Sequence, residues 1–124
     1  MIKPILLYAG ALLTAAWGIA HLFPTKSVVK GFGRINADNK DIITMEWIVE
    51  GVFLIFLGIL VAAVTFLDAR GMVATVVYML TVIALMVMAM VSLFTGFNVK
   101  FLPFKLCPFI FTASAVLIFI GRFL

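Results

Sequence analysis

The stretch Thr44–Phe66, TMEWIVEGVFLIFLGILVAAVTF, decides the fold. It is an apolar run long enough, at about 1.5 Å per residue, to cross the roughly 30 Å hydrocarbon core of a bilayer as an α-helix. Wound at about 100° per residue, it separates into two faces. Ile48, Val49, Val52, Ile55, Phe56, Ile59, Ala63 and Phe66 form an apolar face suited to lipid, and Glu46, Glu50, Leu54, Leu57, Gly58, Val61 and Thr65 form the other. A carboxylate in hydrocarbon is costly unless it is paired, protonated or hydrated, so the face carrying Glu46 and Glu50 is expected to look into protein or water.

Three more runs of the same kind flank it. A first span is expected over about residues 4–23, opened by Pro4 and stopped by Pro24. The quoted stretch gives a second over about residues 44–67. The tight turn Asp68–Gly71 leads to a third over about residues 72–95, and a fourth follows over about residues 106–123 with Pro108 in its first turn. Short connections make neighbours antiparallel. The expected fold is therefore all-α, one domain, a polytopic four-transmembrane-helix antiparallel bundle.

Composition agrees. Of 124 residues, 66% are hydrophobic and 11% charged, with a mean hydropathy of +1.33; a soluble domain carries about a quarter charged residues. Lys3 ahead of an apolar run is also how a secretory signal begins, but this run is longer than a signal's apolar region and is expected to be retained as a span. Nine Lys and Arg against five acids give a net charge of +4, which in such a chain reports topology and lipid headgroups and not nucleic acid. The single cysteine, Cys107, excludes an intrachain disulfide and multi-cysteine metal motifs and is expected to be a small apolar filler.

The first span gathers Gly10, Thr14, Trp17, Gly18 and His21 on one face. Gly10 and Gly18 there, and Gly58 on the second span, are expected to mark close helix contacts, because small residues let backbones approach where lipid offers no hydrophobic driving force. In the connection Pro24–Ile43, Val28, Val29, Phe32 and Ile35 alternate with Lys26, Lys30 and Arg34, as in a short interfacial segment, with Gly31 and Gly33 opposing a helix there. Asp38 or Asp41 is expected to cap the second span's helix. Met86, Met88 and Met90 step by two, which scatters them around a helix and suits packing better than copper ligation. Thr112, Ala113, Ser114 and Ala115 suit close packing of the fourth span. The side with the longer loops holds Lys26, Lys30, Arg34, Lys40, Lys100 and Lys105, against Lys3, Arg70 and Arg122 on the other. The positive-inside rule then places the longer loops in the cytoplasm and both termini outside.

One polar constellation follows from this topology. His21 and Glu46 fall at similar depth near the longer-loop side, with Glu50 a turn deeper at the level of Trp17, and Asn98, Lys100, Lys105 and Cys107 lie near the same surface. The candidate polar site is His21, Glu46, Glu50, Trp17 and Asn98. Such a group can move protons or hydrogen-bond the headgroup of a quinone- or sterol-like lipophile. Equally, His21 can simply pair with Glu46 or Glu50 and fix the packing of two helices. One His and two carboxylates are an incomplete metal set. No nucleophile or cofactor motif is complete, so the sequence assigns no cofactor and leaves enzymatic activity open. Expected partners are membrane lipids, a lipophilic small molecule, and a membrane protein or a second copy of the chain.

The four-span layout in a short chain, with glycines in the first helix and a proline closing it in GIAHLFPT (Gly18–Thr25), resembles the broad DoxX-like group of small bacterial membrane proteins. That resemblance, one of architecture, implies a bacterial inner-membrane location and a role beside redox assemblies. His21 together with Glu50 in IVEGVFLIF (Ile48–Phe56) is similar to an intramembrane His and Glu pair of the EXPERA group, which includes sterol isomerases. A small multidrug-type transporter fits less well, since its membrane carboxylate lies in the first helix and here that helix has none.

Overall fold

In a bilayer each backbone N–H and C=O must find its partner inside the protein, which leaves helices as the structure open to these apolar runs. The computed structural model, which describes residues 1–124, is all-helical, with α1 (Ile2–Leu22), α2 (Thr25–Gly31), α3 (Ala37–Asp68), α4 (Met72–Thr95) and α5 (Leu102–Phe123). Of 99 backbone hydrogen bonds, 89 lie within these helices, so the chain meets the bilayer's requirement almost entirely locally. Four helices, all but the short α2, are long and apolar enough to span.

The spanning helices run alternately up and down and form a closed ring, α1 against α3, α3 against α4, α4 against α5, and α5 back against α1. Each presents a narrow inner stripe. On α4, Ala74, Tyr78, Thr81, Leu85 and Ala89 are buried, while Val73, Val76, Leu80, Ile83, Val87, Met90 and Phe94 repeat at three- and four-residue steps on the exposed side. On α3 the buried stripe is Gly51, Leu54, Leu57, Gly58, Val61 and Thr65, with Val52, Phe56, Ile59 and Phe66 exposed. Large exposed apolar surfaces on every span identify an integral membrane protein whose outer solvent is lipid.

Helix α1 is clasped on two sides through glycines. A Cβ added at Gly58 would lie 2.6 Å from the Ala11 carbonyl oxygen and 2.7 Å from the Ala15 Cβ, and one at Gly18 would lie 2.7 Å from the Gly51 carbonyl oxygen. On the other side, a Cβ at Gly10 would meet Ile118 at 2.7 Å, and one at Gly121 would meet the Leu7 nitrogen and the Lys3 carbonyl oxygen at 3.0 Å. The α3–α4 pair is the least closely packed neighbour pair in the ring, and its one side-chain hydrogen bond, Thr65 to Tyr78, lies near the connecting turn.

Several boundaries differ from the sequence reading, each for a local reason. Helix α3 begins at Ala37 instead of near residue 44, and its 32 residues make it about 48 Å long. Apolarity marks where a helix enters lipid, not where it starts, and nothing between Ala37 and Glu50 is a glycine or proline. Its cap is Asn36, whose Oδ1 accepts from the Asn39 N–H at 2.7 Å, and not Asp38 or Asp41, which lie inside the helix. The segment after Pro24 does form the helix α2 despite Gly31, ending before Gly33 turns the chain at φ +75°. Helix α5 starts at Leu102 with Pro103 in its first turn, so Pro108 is an interior proline and cannot donate to the Phe104 carbonyl.

Candidate functional site

The two ends of the ring differ in how their polar groups are satisfied. At the end holding the Asp68–Gly71 turn, Thr65, Tyr78, Thr75 and Arg122 are partnered with one another across the helices. The Thr65 and Tyr78 hydroxyls share a hydrogen bond at 2.9 Å, linking α3 to α4. The Arg122 guanidinium donates to the Thr75 hydroxyl at 3.0 and 2.8 Å and to the Arg70 carbonyl at 3.4 Å, linking α5 to α4 and the turn.

At the opposite end the ring encloses a cavity of about 470 Å³, within the range of small-ligand sites. Its walls come from all four spans: Trp17 and His21 of α1, Trp47 and Glu50 of α3, Met88, Val91 and Ser92 of α4, and Phe104 and Cys107 of α5. The helices reach this end because Pro24 stops α1 here and Pro103 starts α5 here. Trp47, Glu50 and Phe104 also border an outer cavity of about 460 Å³ between α2 and the start of α3.

His21 is held on two sides by Trp47. Its ring stacks on the Trp47 indole, centroids 3.9 Å apart and planes 17° from parallel, and its main-chain carbonyl accepts from Trp47 Nε1 at 2.8 Å. Trp47 in turn leans on Phe104 at 5.5 Å. The His21 side chain is 6% exposed, and its Nε2 stands 3.5 Å from Glu50 Oε2, close enough for charge pairing but without hydrogen-bond geometry. Glu50 is 39% exposed, open to both cavities. One turn below His21, the buried Trp17 Nε1 has no nitrogen or oxygen partner and lies beside the Cys107 thiol. Both nitrogens lie behind the cavity wall with almost no accessible surface, and Glu50 is the polar group of this wall that the cavity exposes.

The structure brings together His21, Glu50 and Trp17 of the sequence candidates. Glu46 does not join them. It is exposed and borders only the outer cavity, one turn of α3 beyond Glu50, where α1 has already ended at Leu22. Asn98 lies exposed in the turn after α4 and lines neither cavity. Gly10, Gly18 and Gly58 lie at the helix contacts described above, outside the cavity. His21 and Glu50 lack a third His, Cys, Asp or Glu to complete a metal-binding group. Sequence reasoning missed Trp47, whose signal was its place three residues before Glu50 and at the depth of His21. Comparison with protein-family models, curated proteins and solved structures finds no match, so the likenesses to the DoxX-like and EXPERA groups rest on the residues quoted for them.

Proposed function

We propose that this integral membrane protein binds a lipophilic small molecule whose polar headgroup sits in the cavity between Trp17, His21 and Glu50, acting alone or as a subunit beside a membrane partner. The observation that carries this reading is the cavity of about 470 Å³ walled by all four spans, onto which the Glu50 carboxylate, 39% exposed, opens with His21 Nε2 3.5 Å from it. We place the protein in a bacterial inner membrane with the cavity end cytoplasmic. Six of the nine basic residues lie at that end, and of the other three Arg122 is engaged within the bundle.

The test is extraction of the protein from native membranes into lipid nanodiscs, followed by mass spectrometry of bound small molecules. Wild type should carry a lipophile enriched over bulk lipid, and Ser92→Phe, which sets a ring into the cavity, should lose it while remaining folded. Equal recovery from both proteins would end the reading. A second reading, an enzyme or proton-coupled protein working through His21 and Glu50 on a quinone- or sterol-like lipophile, is favoured by their 3.5 Å approach beside the open cavity. It predicts that Glu50→Gln keeps the bound lipophile but abolishes its conversion or the accompanying proton movement, whereas a binding module is indifferent to that change.

A further inference from the structure

We infer that the cavity's guest is a lipophilic organic cation, an ammonium with apolar substituents seated against the Glu50 carboxylate. The inference deepens the lipophile-binding reading and rests on it.

The sign of the charge follows from where the ionic side chains stand. Six of the chain's nine basic residues lie at this end of the bundle, yet none of them lines either cavity. Lys26, Lys30, Arg34, Lys40 and Lys100 are exposed, and Lys105 stands over the Phe97 ring, 6.0 Å from its centroid. The carboxylates are placed the other way. Glu50 borders both cavities, and Glu46, one turn along α3, borders the outer one. In a chain of net charge +4, the Lys, Arg, Asp and Glu side chains that line these spaces are thus all acidic. His21 offsets Glu50 only when protonated, and it does so from behind the wall, 6% exposed and without hydrogen-bond geometry to Oε2. The exposed part of the carboxylate is left to whatever occupies the cavity. A phosphate or carboxylate headgroup would set like charge against Glu50 with no Lys or Arg in the wall to offset it.

The kind of cation follows from the rest of the wall. A divalent metal ion takes about six oxygen ligands, and no group of three His, Cys, Asp or Glu side chains converges in this protein. Around Glu50 the cavity is lined by Trp17, Trp47, Phe104, Met88 and Val91. Aromatic rings attract a cation through their quadrupole, and they and the aliphatic side chains also pack against the alkyl groups that an ammonium carries and a hydrated metal ion lacks. Trp47 and Phe104, with centroids 5.5 Å apart, border both cavities together with Glu50, so aromatic surface and carboxylate lie side by side on the shared wall.

The test uses three tritiated probes of similar shape and different charge: para-butylphenyltrimethylammonium, its neutral isostere para-butyl-tert-butylbenzene, and para-butylbenzenesulfonate. Binding is measured as the saturable excess on protein-loaded nanodiscs of zwitterionic lipid over empty ones, and affinities are referred to the probe concentration in the lipid, which the empty discs supply. Wild type should bind the ammonium at least about tenfold more tightly than the neutral isostere, and the sulfonate more weakly than either. In Glu50→Gln the ammonium should fall to the affinity of the isostere, whose own binding stays unchanged and shows that the cavity is intact. Ser92→Phe, with a ring set into the cavity, should abolish the saturable ammonium binding. Isostere or sulfonate binding as tightly as the ammonium in wild type overturns the cation and leaves lipophile binding standing. Undiminished ammonium binding in Glu50→Gln or in Ser92→Phe places the cation elsewhere and overturns the inference. Absence of saturable binding of all three probes overturns this inference and the lipophile reading together.

Discussion

Trp47 holds His21 twice over, its indole lying flat against the imidazole at 3.9 Å while its Nε1–H donates to the His21 carbonyl at 2.8 Å. The carbonyl belongs to the last turn of α1, where no further helical N–H arrives to satisfy it. One side chain of α3 therefore both closes the end of α1 and fixes the plane of the histidine. The two roles can be separated.

Trp47→Phe keeps an aromatic face but loses the donor, and should destabilise the protein by about 1–3 kcal/mol, the cost of leaving a buried acceptor unpaired. Trp47→Leu removes the stacked ring as well. His21 is the chain's one histidine, so its ring resonances are unambiguous in an NMR spectrum. They should lose their ring-current shift in Trp47→Leu and largely keep it in Trp47→Phe. Unmoved resonances in Trp47→Leu would mean that the stack does not form in the membrane.

Gly58→Ala should lower the thermal stability of the bundle in mild detergent, by about 1–3 kcal/mol or more, because the new methyl meets the Ala11 backbone and the Ala15 side chain. Gly31→Ala is the control. No atom lies within 4 Å of its Cβ position, and alanine in that helical turn should be neutral or stabilise by up to about 1 kcal/mol. Equal effects of the two substitutions would contradict the close α1–α3 contact.

Arg122→Met and Thr75→Val remove the two halves of the contact that closes the turn end. A double-mutant cycle on thermal unfolding should give a coupling of about 1–2 kcal/mol, as befits hydrogen bonds to a charged donor. Additive effects would show the contact to be idle.

Orientation is read by labelling. With Cys107 replaced by alanine, a cysteine at Ser27 should resist a membrane-impermeant reagent in intact cells and react after permeabilisation, since six of nine basic residues share its side. Strong labelling without permeabilisation would invert the topology.

How far residues alone foretell this structure depends on what each residue answers to. Leu54, Leu57, Gly58, Val61 and Thr65 were legible as one buried stripe because they obey the helix's own period, which no partner can alter. The fold class followed for the same reason. Glu46 obeys that period too, yet it is exposed, because burial needs a neighbour and α1 stops at Leu22. Trp47 escaped notice because a tryptophan near a membrane surface ordinarily reads as a headgroup anchor, and only the partner helix reveals the carbonyl it serves. Asn98 was placed near the site by depth alone, which fixes a level in the membrane but not a position around the ring.

The closed end of the bundle makes α3 and α4 a pair of levers. Turn, Thr65–Tyr78 and Arg122–Thr75 together form the fulcrum. Helix α4, with 24 residues, is an arm about 36 Å long, so a swing of about 5° moves its free end by about 3 Å. That is the scale of a methylene's width, and it is delivered at the cavity end, while the buried hydroxyls near the fulcrum scarcely shift. Under the proposed lipophile-binding function, entry of a guest would ask for a swing of this size and no unwinding of a helix.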